Sequence, residues 1–226
     1  INVGIYEPGE YYFKIIVYHN SNTSGSTIYN NIYNLQFTSK PTKKETQLAR
    51  STHLGNITST TGNVILNNEN ANLVLDSVEI NLNKTGSSGS INNYSNAITN
   101  YGTLTALENS TINTNSRYSV LINNEPTGRL LKSLGKLNIN SPSYSYGIYN
   151  DSRKDDFSID GFKIFMKNYD QVYGICHVSN HDLTINNIEI AGSGSGIYKY
   201  NYNNKSNLSI NDSVINVKIG VETGSN

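Results

Sequence analysis

Apolar positions return along this chain at a nearly constant interval. Four segments line up: Leu130-Leu-Lys-Ser-Leu-Gly-Lys-Leu137, Phe157-Ser-Ile-Asp-Gly-Phe-Lys-Ile164, Leu183-Thr-Ile-Asn-Asn-Ile-Glu-Ile190 and Leu208-Ser-Ile-Asn-Asp-Ser-Val-Ile215. Each opens on an apolar residue and returns to one seven positions later. Extended upstream, the opening column reads Leu73, Leu104, Leu130, Phe157, Leu183 and Leu208, in steps of 31, 26, 27, 26 and 25 residues. The second column is Ile80, Leu137, Ile164, Ile190 and Ile215. Ile112 joins it if one residue is inserted near Ala106-Leu107, which reads as a β-bulge. A third strand-like element precedes each new unit: Val64-Ile-Leu-Asn67, Ala97-Ile-Thr-Asn100, Val120-Leu-Ile-Asn123, Tyr146-Gly-Ile-Tyr-Asn150, Tyr173-Gly-Ile-Cys-His177 and Gly196-Ile-Tyr-Lys199.

Internal periods of this size mark solenoids, propellers or arrays. Three short strands per unit, with no helix-length apolar run between them, predict an all-β chain folded as a parallel β-helix. About six to seven coils fit within residues 45–226. A propeller blade needs roughly 40 residues or more and fits worse. A β-sandwich with coincidental similarity is the remaining alternative. In a β-helix each coil lies about 4.8 Å above the last, so like residues stack on like and the columns become apolar ladders. Asp76, Asp160, Asn186 and Asn211 share one place, three after the opening column, and predict a polar ladder beside a turn that tolerates left-handed backbone.

Upstream, Tyr11-Tyr-Phe-Lys-Ile-Ile-Val-Tyr18 follows a Pro8-Gly9 turn signal and reads as a strand. Tyr29, Asn31, Tyr33, Leu35 and Phe37 alternate with the opposite face. Together they predict a long-looped hairpin within residues 1–44, either the remnant of a β-sandwich module or a cap. A short helix from Lys43 to Arg50 is expected to cover the first coil.

Composition supports the β reading. Seventeen tyrosines, no tryptophan and a charged fraction of 15% leave the polarity to Asn, Ser, Thr and Gly, the residues of tight turns. Acids and bases balance at seventeen each. The one basic cluster, Lys40-Pro-Thr-Lys43-Lys44, reads as a solvated linker, so neither nucleic acid nor an anionic membrane is an expected partner. Cys176 is the lone cysteine and excludes an intrachain disulfide. No apolar run reaches the roughly 20 residues of a membrane span. With no initiator Met, signal peptide or anchor, the chain reads as a piece of something longer.

Candidate chemistry is thin. Asp155-Asp156 beside Arg153-Lys154 read as a solvated turn rather than paired catalytic carboxylates. Lys163 and Glu189 fall on one column and read as an exposed cross-strand pair. Cys176, His177 and His181 could suggest a metal or a Cys–His nucleophile, but a fourth ligand and an orienting acid other than Asp182 are missing. Gly192-Ser-Gly-Ser-Gly196 is followed by no helix and reads as a turn. The expectation is no catalytic residue, no metal and no cofactor. The aromatic residues are the better hint: Tyr149, Tyr198 and Tyr200 flank the third strand, with Tyr144, Tyr146 and Tyr173 nearby. Such rings can stack on sugars or anchor a protein partner.

Two resemblances follow from these residues. Phrases such as Tyr146-Gly-Ile-Tyr-Asn150 and Leu183-Thr-Ile-Asn-Asn-Ile-Glu-Ile190, over residues 63–221, resemble the right-handed, pectin-lyase-like parallel β-helix proteins, particularly their repeat-rich bacterial cell-surface adhesins. Pro8-Gly9, Tyr11-Tyr12-Phe13, Ile15 and the Tyr29 to Phe37 stretch resemble the closing strands of pilin-type β-sandwich modules. Those modules can carry a Lys–Asn isopeptide bond promoted by a Glu, and here Val17-Tyr18-His19 stand at its place. The first resemblance implies an extracellular, cell-surface, non-catalytic stalk or adhesin that displays Tyr149, Tyr198 and Tyr200 to a glycan or a host surface protein. The same fold also hosts polysaccharide lyases and glycoside hydrolases acting on cell-surface or plant glycans, and that is the alternative.

Overall fold

Stacking of like residues on like is what the computed structural model displays. It describes residues 28–30, 34–37, 56–59, 64–76, 78–131, 135–151, 156–167, 171–201 and 206–225. They form an all-β parallel solenoid whose strands fall on three walls. The first wall is one eight-stranded sheet: Ile28–Asn30, Ile65–Asn67, Ser95–Asn100, Ser119–Asn124, Ser145–Asn150, Val172–Val178, Ser195–Asn201 and Ile219–Ser225. The third wall is a seven-stranded sheet running from Asn56–Ser59 to Val214–Asn216. The second wall is split in two. Asn34–Phe37, Asn72–Asp76, Thr103–Glu108 and Arg129–Leu130 form a four-stranded sheet; Phe157–Asp160, Leu183–Asn186 and Leu208–Asn211 form a three-stranded one. All ladders are parallel.

Both apolar columns are vertical rows. Leu73 pairs with Leu104 and Leu104 with Leu130; Phe157 pairs with Leu183 and Leu183 with Leu208. On the third wall Ile80, Ile112, Leu137, Ile164, Ile190 and Ile215 follow one another in register. They belong to one continuous apolar core with Ile98, Ile122, Ile148, Ile175 and Ile197 of the first wall. Fully burying each such side chain contributes about 1.5–3 kcal/mol, and only neighbouring coils complete the burial. The expected bulge is present one residue earlier than placed: Leu73 faces Leu104 but Val74 faces Ala106, leaving Thr105 unpaired.

The stretch from Ile28 to Phe37, expected as the second strand of the hairpin, forms two strands, Ile28–Asn30 and Asn34–Phe37, and its pairing with 11–18 lies outside the described residues. The first joins Ile65–Asn67 on the first wall and the second joins Asn72–Asp76 on the second, both in parallel. Alternation alone suits any half-buried strand, and the parallel register sets Leu35 beside Leu73. The stack consequently begins before residue 63, and the number of rungs differs from the six to seven expected: the first wall alone has eight strands. The strand expected at 11–18 and the helix expected at 43–50 lie outside the described residues. Among those described, the helical content is one 3-10 turn, Ile91–Asn93, capped by the Ser90 hydroxyl, which accepts from the Asn92 N–H at 3.3 Å.

Turn chemistry repeats as well. Between the second and third walls the left-handed residue is Gly161, Asn187 or Asp212, with φ of 81°, 52° and 45°. That is one position after the Asp160, Asn186 and Asn211 column, whose members pair within the sheet. The Asn186 Oδ1 accepts from Asn211 Nδ2 at 2.9 Å as an exposed ladder, while Asp160 Oδ1 accepts from Asn187 Nδ2 at 3.0 Å. On the first wall the Tyr-Gly-Ile phrase has a steric cause. A Cβ on Gly147 would stand 2.5 Å from the Gly174 oxygen, and one on Gly174 would stand 2.7 Å from the Gly196 oxygen.

Candidate functional site

Four successive first-wall strands end on a buried asparagine, and these form a second ladder inside the first wall. Asn67 Nδ2 donates to Asn100 Oδ1, Asn100 Nδ2 to Asn124 Oδ1 and Asn124 Nδ2 to Asn150 Oδ1, all at 2.7 Å. Asn150 Nδ2 lies 2.9 Å from His177 Nδ1. The direction is fixed from outside the ladder. Asn67, Asn100 and Asn124 also donate to the carbonyls of Thr103, Arg129 and Gly128, so reversing an amide would set oxygen against oxygen. His177 Nδ1 must therefore accept, and Nε2–H donates to the His181 carbonyl at 3.2 Å. Burial is the main reason its pKa falls from the ordinary 6.5 to about 4. Lys199 stacks on His177, and its Nζ donates to Asn201 Oδ1 at 2.6 Å and to Ser206 Oγ. Burial lowers its pKa too, against an opposing pull from Asp182.

Cys176 points the other way. It sits between Tyr149 and Tyr198 on the outward side of the first wall, yet is only 3% exposed. Burial pushes its thiol pKa far up, which keeps it protonated and a poor nucleophile. Cys176 and His177 thus face opposite sides of one strand. Among the described residues no group of three or more His, Cys, Asp or Glu side chains could hold a metal.

What covers that thiol is a ribbon of tyrosines. Tyr146 stacks on Tyr173 with ring centres 5.4 Å apart, and Tyr149 meets Tyr146 edge-on at 5.5 Å. Tyr173 reaches Tyr198 at 5.5 Å, and Tyr198 reaches Tyr200 at 6.4 Å. Toward the N-terminal end Tyr94 lies 5.8 Å from Tyr146 and 5.5 Å from Tyr118, and Tyr118 stacks on Tyr144 at 5.1 Å. The expected trio is thereby brought into one surface. Tyr198 and Tyr200 touch, and Tyr149 joins them through Tyr146 and Tyr173. The ring-on-ring order is set by the parallel register, which places Tyr146 beside Tyr173 and Tyr149 beside Cys176. Burial raises the phenol pKa values of Tyr146, Tyr173 and Tyr198, so these rings stay neutral near pH 7.

The break in the second wall opens a groove that the sequence did not announce. It has a volume of about 720 Å³ and is lined by Glu69, Tyr101, Thr127, Arg129, Leu131 and Asp156, among others. Arg129 and Leu131 donate their backbone N–H groups down to Gly102 and Leu104. Alternation in a parallel ladder then turns the polar groups of Leu130 into the gap. Glu69 and Arg129 make no ion pair among the described residues, while Asp156 accepts from the Asp182 N–H at 3.0 Å. The only signal available beforehand was the changed segment after Leu130, where Leu-Lys-Ser-Leu-Gly replaces the usual polar alternation. The Lys163–Glu189 pair, by contrast, is where the column placed it, at 3.1 Å and with both side chains exposed.

No family model, known protein or solved structure matches the chain.

Proposed function

We propose that this chain is a non-catalytic, adhesin-like segment of a bacterial cell-surface protein, built on the right-handed pectin-lyase-like type of β-helix. It acts outside the cell as a rigid stalk that displays a binding surface along its first wall. The observation that carries this reading is the tyrosine ribbon: eight rings in continuous contact, pre-ordered by stacking and only partly covered. Aromatic side chains with few rotatable bonds lose little entropy on binding, and they suit the face of a sugar or a protein surface. The partner is a glycan or a host surface protein, and Tyr149, Tyr198 and Tyr200 are the contact residues. A glycan and host-protein array probed with the parent chain, Tyr149→Ala and Tyr198→Ala tests it. Retained signal should drop in both variants, and unchanged binding in both removes the tyrosine face from consideration.

The rival reading, a polysaccharide lyase or glycoside hydrolase, draws its support from the groove, whose lining includes Glu69, Asp156 and Arg129. Release of reducing ends or unsaturated products from acidic and neutral polysaccharides, lost in Glu69→Gln and Asp156→Asn, would establish it. Absence of release across the panel leaves the binding reading in place.

A further inference from the structure

The N-terminal end of the ribbon differs from the rest in three independent ways. First, Tyr118 and Tyr144 hold φ of 50° and 52°. Left-handed backbone is unfavourable for a side chain of this kind by about 1–2 kcal/mol. At the equivalent turn of later coils stand Gln171 and Gly194, so the geometry itself does not require tyrosine. Strain held twice in succession by stacked rings is a pointer to function.

Second, Arg117 lies over both rings, its guanidinium carbon 5.4 Å from the centre of Tyr118 and 6.0 Å from that of Tyr144. Its Nε donates to Ser143 Oγ at 3.1 Å. Arg117 is exposed and forms no ion pair among the described residues. The terminal nitrogens are thereby aimed and left open, a fork suited to a carboxylate.

Third, the long connection that follows Leu82 leans on this spot. The Gly86 N–H donates to the Arg117 carbonyl at 3.1 Å, and a Cβ on Gly86 would lie 2.3 Å from the Tyr118 backbone carbonyl oxygen. Tyr94, at the far end of the same connection, meets Tyr118 edge-on. A wall therefore stands beside the stacked pair, and it carries the exposed Lys84.

We infer that Arg117, Tyr118, Tyr144 and Tyr94 form the anchor point of the ribbon, and that it takes an acidic protein segment. An Asp or Glu of the partner would engage Arg117 while a neighbouring apolar or aromatic side chain rests on the tyrosines. Tyr and Arg are enriched at protein-recognition hot spots and Ser supplies adaptable hydrogen bonds beside them, which together with the open guanidinium favours an acidic polypeptide. This rests on the ribbon being a binding face and moves its centre away from Tyr149, Tyr198 and Tyr200.

The test is selection from a random dodecapeptide display library on the whole chain, followed by binding to three variants: Arg117→Ala, Arg117→Lys and the double variant Tyr149→Ala/Tyr198→Ala. Recovered peptides should share an acidic residue beside a Tyr, Phe or Leu. Their affinity should fall about tenfold in Arg117→Ala, the size of one charge-assisted contact. Arg117→Lys should restore only part of it, and added salt should weaken binding. An unchanged melting curve in Arg117→Ala shows that the fold is intact. Peptides without acids, or acidic peptides indifferent to Arg117→Ala, overturn the inference, as does displacement of the peptides by a uronic-acid oligomer at lower concentration. Peptides lost in the double tyrosine variant but not in Arg117→Ala sink this inference and leave the ribbon reading standing. Indifference to all three variants sinks both.

Discussion

The first and second walls are built from the same repeat and end differently. The first continues without interruption through eight strands; the second breaks between Leu130 and Phe157. Behind the unbroken wall five successive coils contribute a buried hydrogen-bonding side chain, Asn67, Asn100, Asn124, Asn150 and His177, that locks one coil to the next. Behind the broken wall no such internal ladder runs among the described residues, and Arg129–Leu130 is a strand of only two residues. Apolar columns alone hold coils at the right height but do not fix every edge. A directional polar ladder does, because each amide left without its neighbour would be buried and unpaired.

The largest expected effect tests that difference at its centre. Asn124→Ala removes the acceptor of Asn100 and the donor to Asn150 and Gly128, leaving buried polar groups on both sides. Loss of about 3–5 kcal/mol in chemical denaturation is expected, from roughly 1–3 kcal/mol per orphaned group. The matching change on the broken wall, Arg129→Ala, touches an exposed side chain and should stay within about 0.5 kcal/mol. Equal losses in the two would end the distinction.

Next in size is a pH dependence that only the first wall should show. Protonated His177 carries hydrogen on both ring nitrogens and cannot accept from Asn150. Its folded pKa of about 4 lies below the ordinary 6.5. The unfolded chain therefore binds more protons between those values, and stability is full above pH 6.5 and falls as pH drops toward 4. The loss is on the order of 3 kcal/mol. His177→Asn extends the amide ladder with a group that does not titrate and should flatten the curve; a fold whose stability is indifferent to pH over that range removes the histidine from the account.

A smaller effect concerns close approach within the first wall. Gly147→Ala drives a methyl into the Gly174 oxygen and should cost about 1–3 kcal/mol. Gly220→Ala, in the last coil, meets nothing nearer than 4.0 Å and should be close to neutral. Calorimetric melting of the pair reads the difference directly. Smallest of all is Lys163→Met. Its partner Glu189 is exposed, and such pairs contribute about 0–1 kcal/mol that salt erases.

Much of the fold was legible because stacking imposes a period. Leu183 on Leu208 and Ile164 on Ile190 can be aligned by eye, and so can Lys163 on Glu189. The ribbon was legible in part. Tyr149, Tyr198 and Tyr200 stand out beside the third strand, but Tyr118 and Tyr144 lie in turns, where spacing says little about which rings meet. The amide ladder was hidden in a doublet. Asn123 and Asn124 are equally good candidates in sequence, and the pairing of Ile122 with Ile148 is what carries Asn124 onto Asn150.

By itself, then, the sequence determined that this is an all-β chain of stacked coils, which residues form its apolar rows, and that tyrosines gather along one side. A repeat encodes these directly, since each coil must present the same face to the next. Only the tertiary structure decided where a wall breaks, which asparagine faces inward, that His177 ends a buried ladder while Cys176 lies sealed under rings, and that Arg117 rests on two strained tyrosines. Those depend on register and on the path of the turns, and a shift of one residue sends a side chain to the opposite face of the sheet.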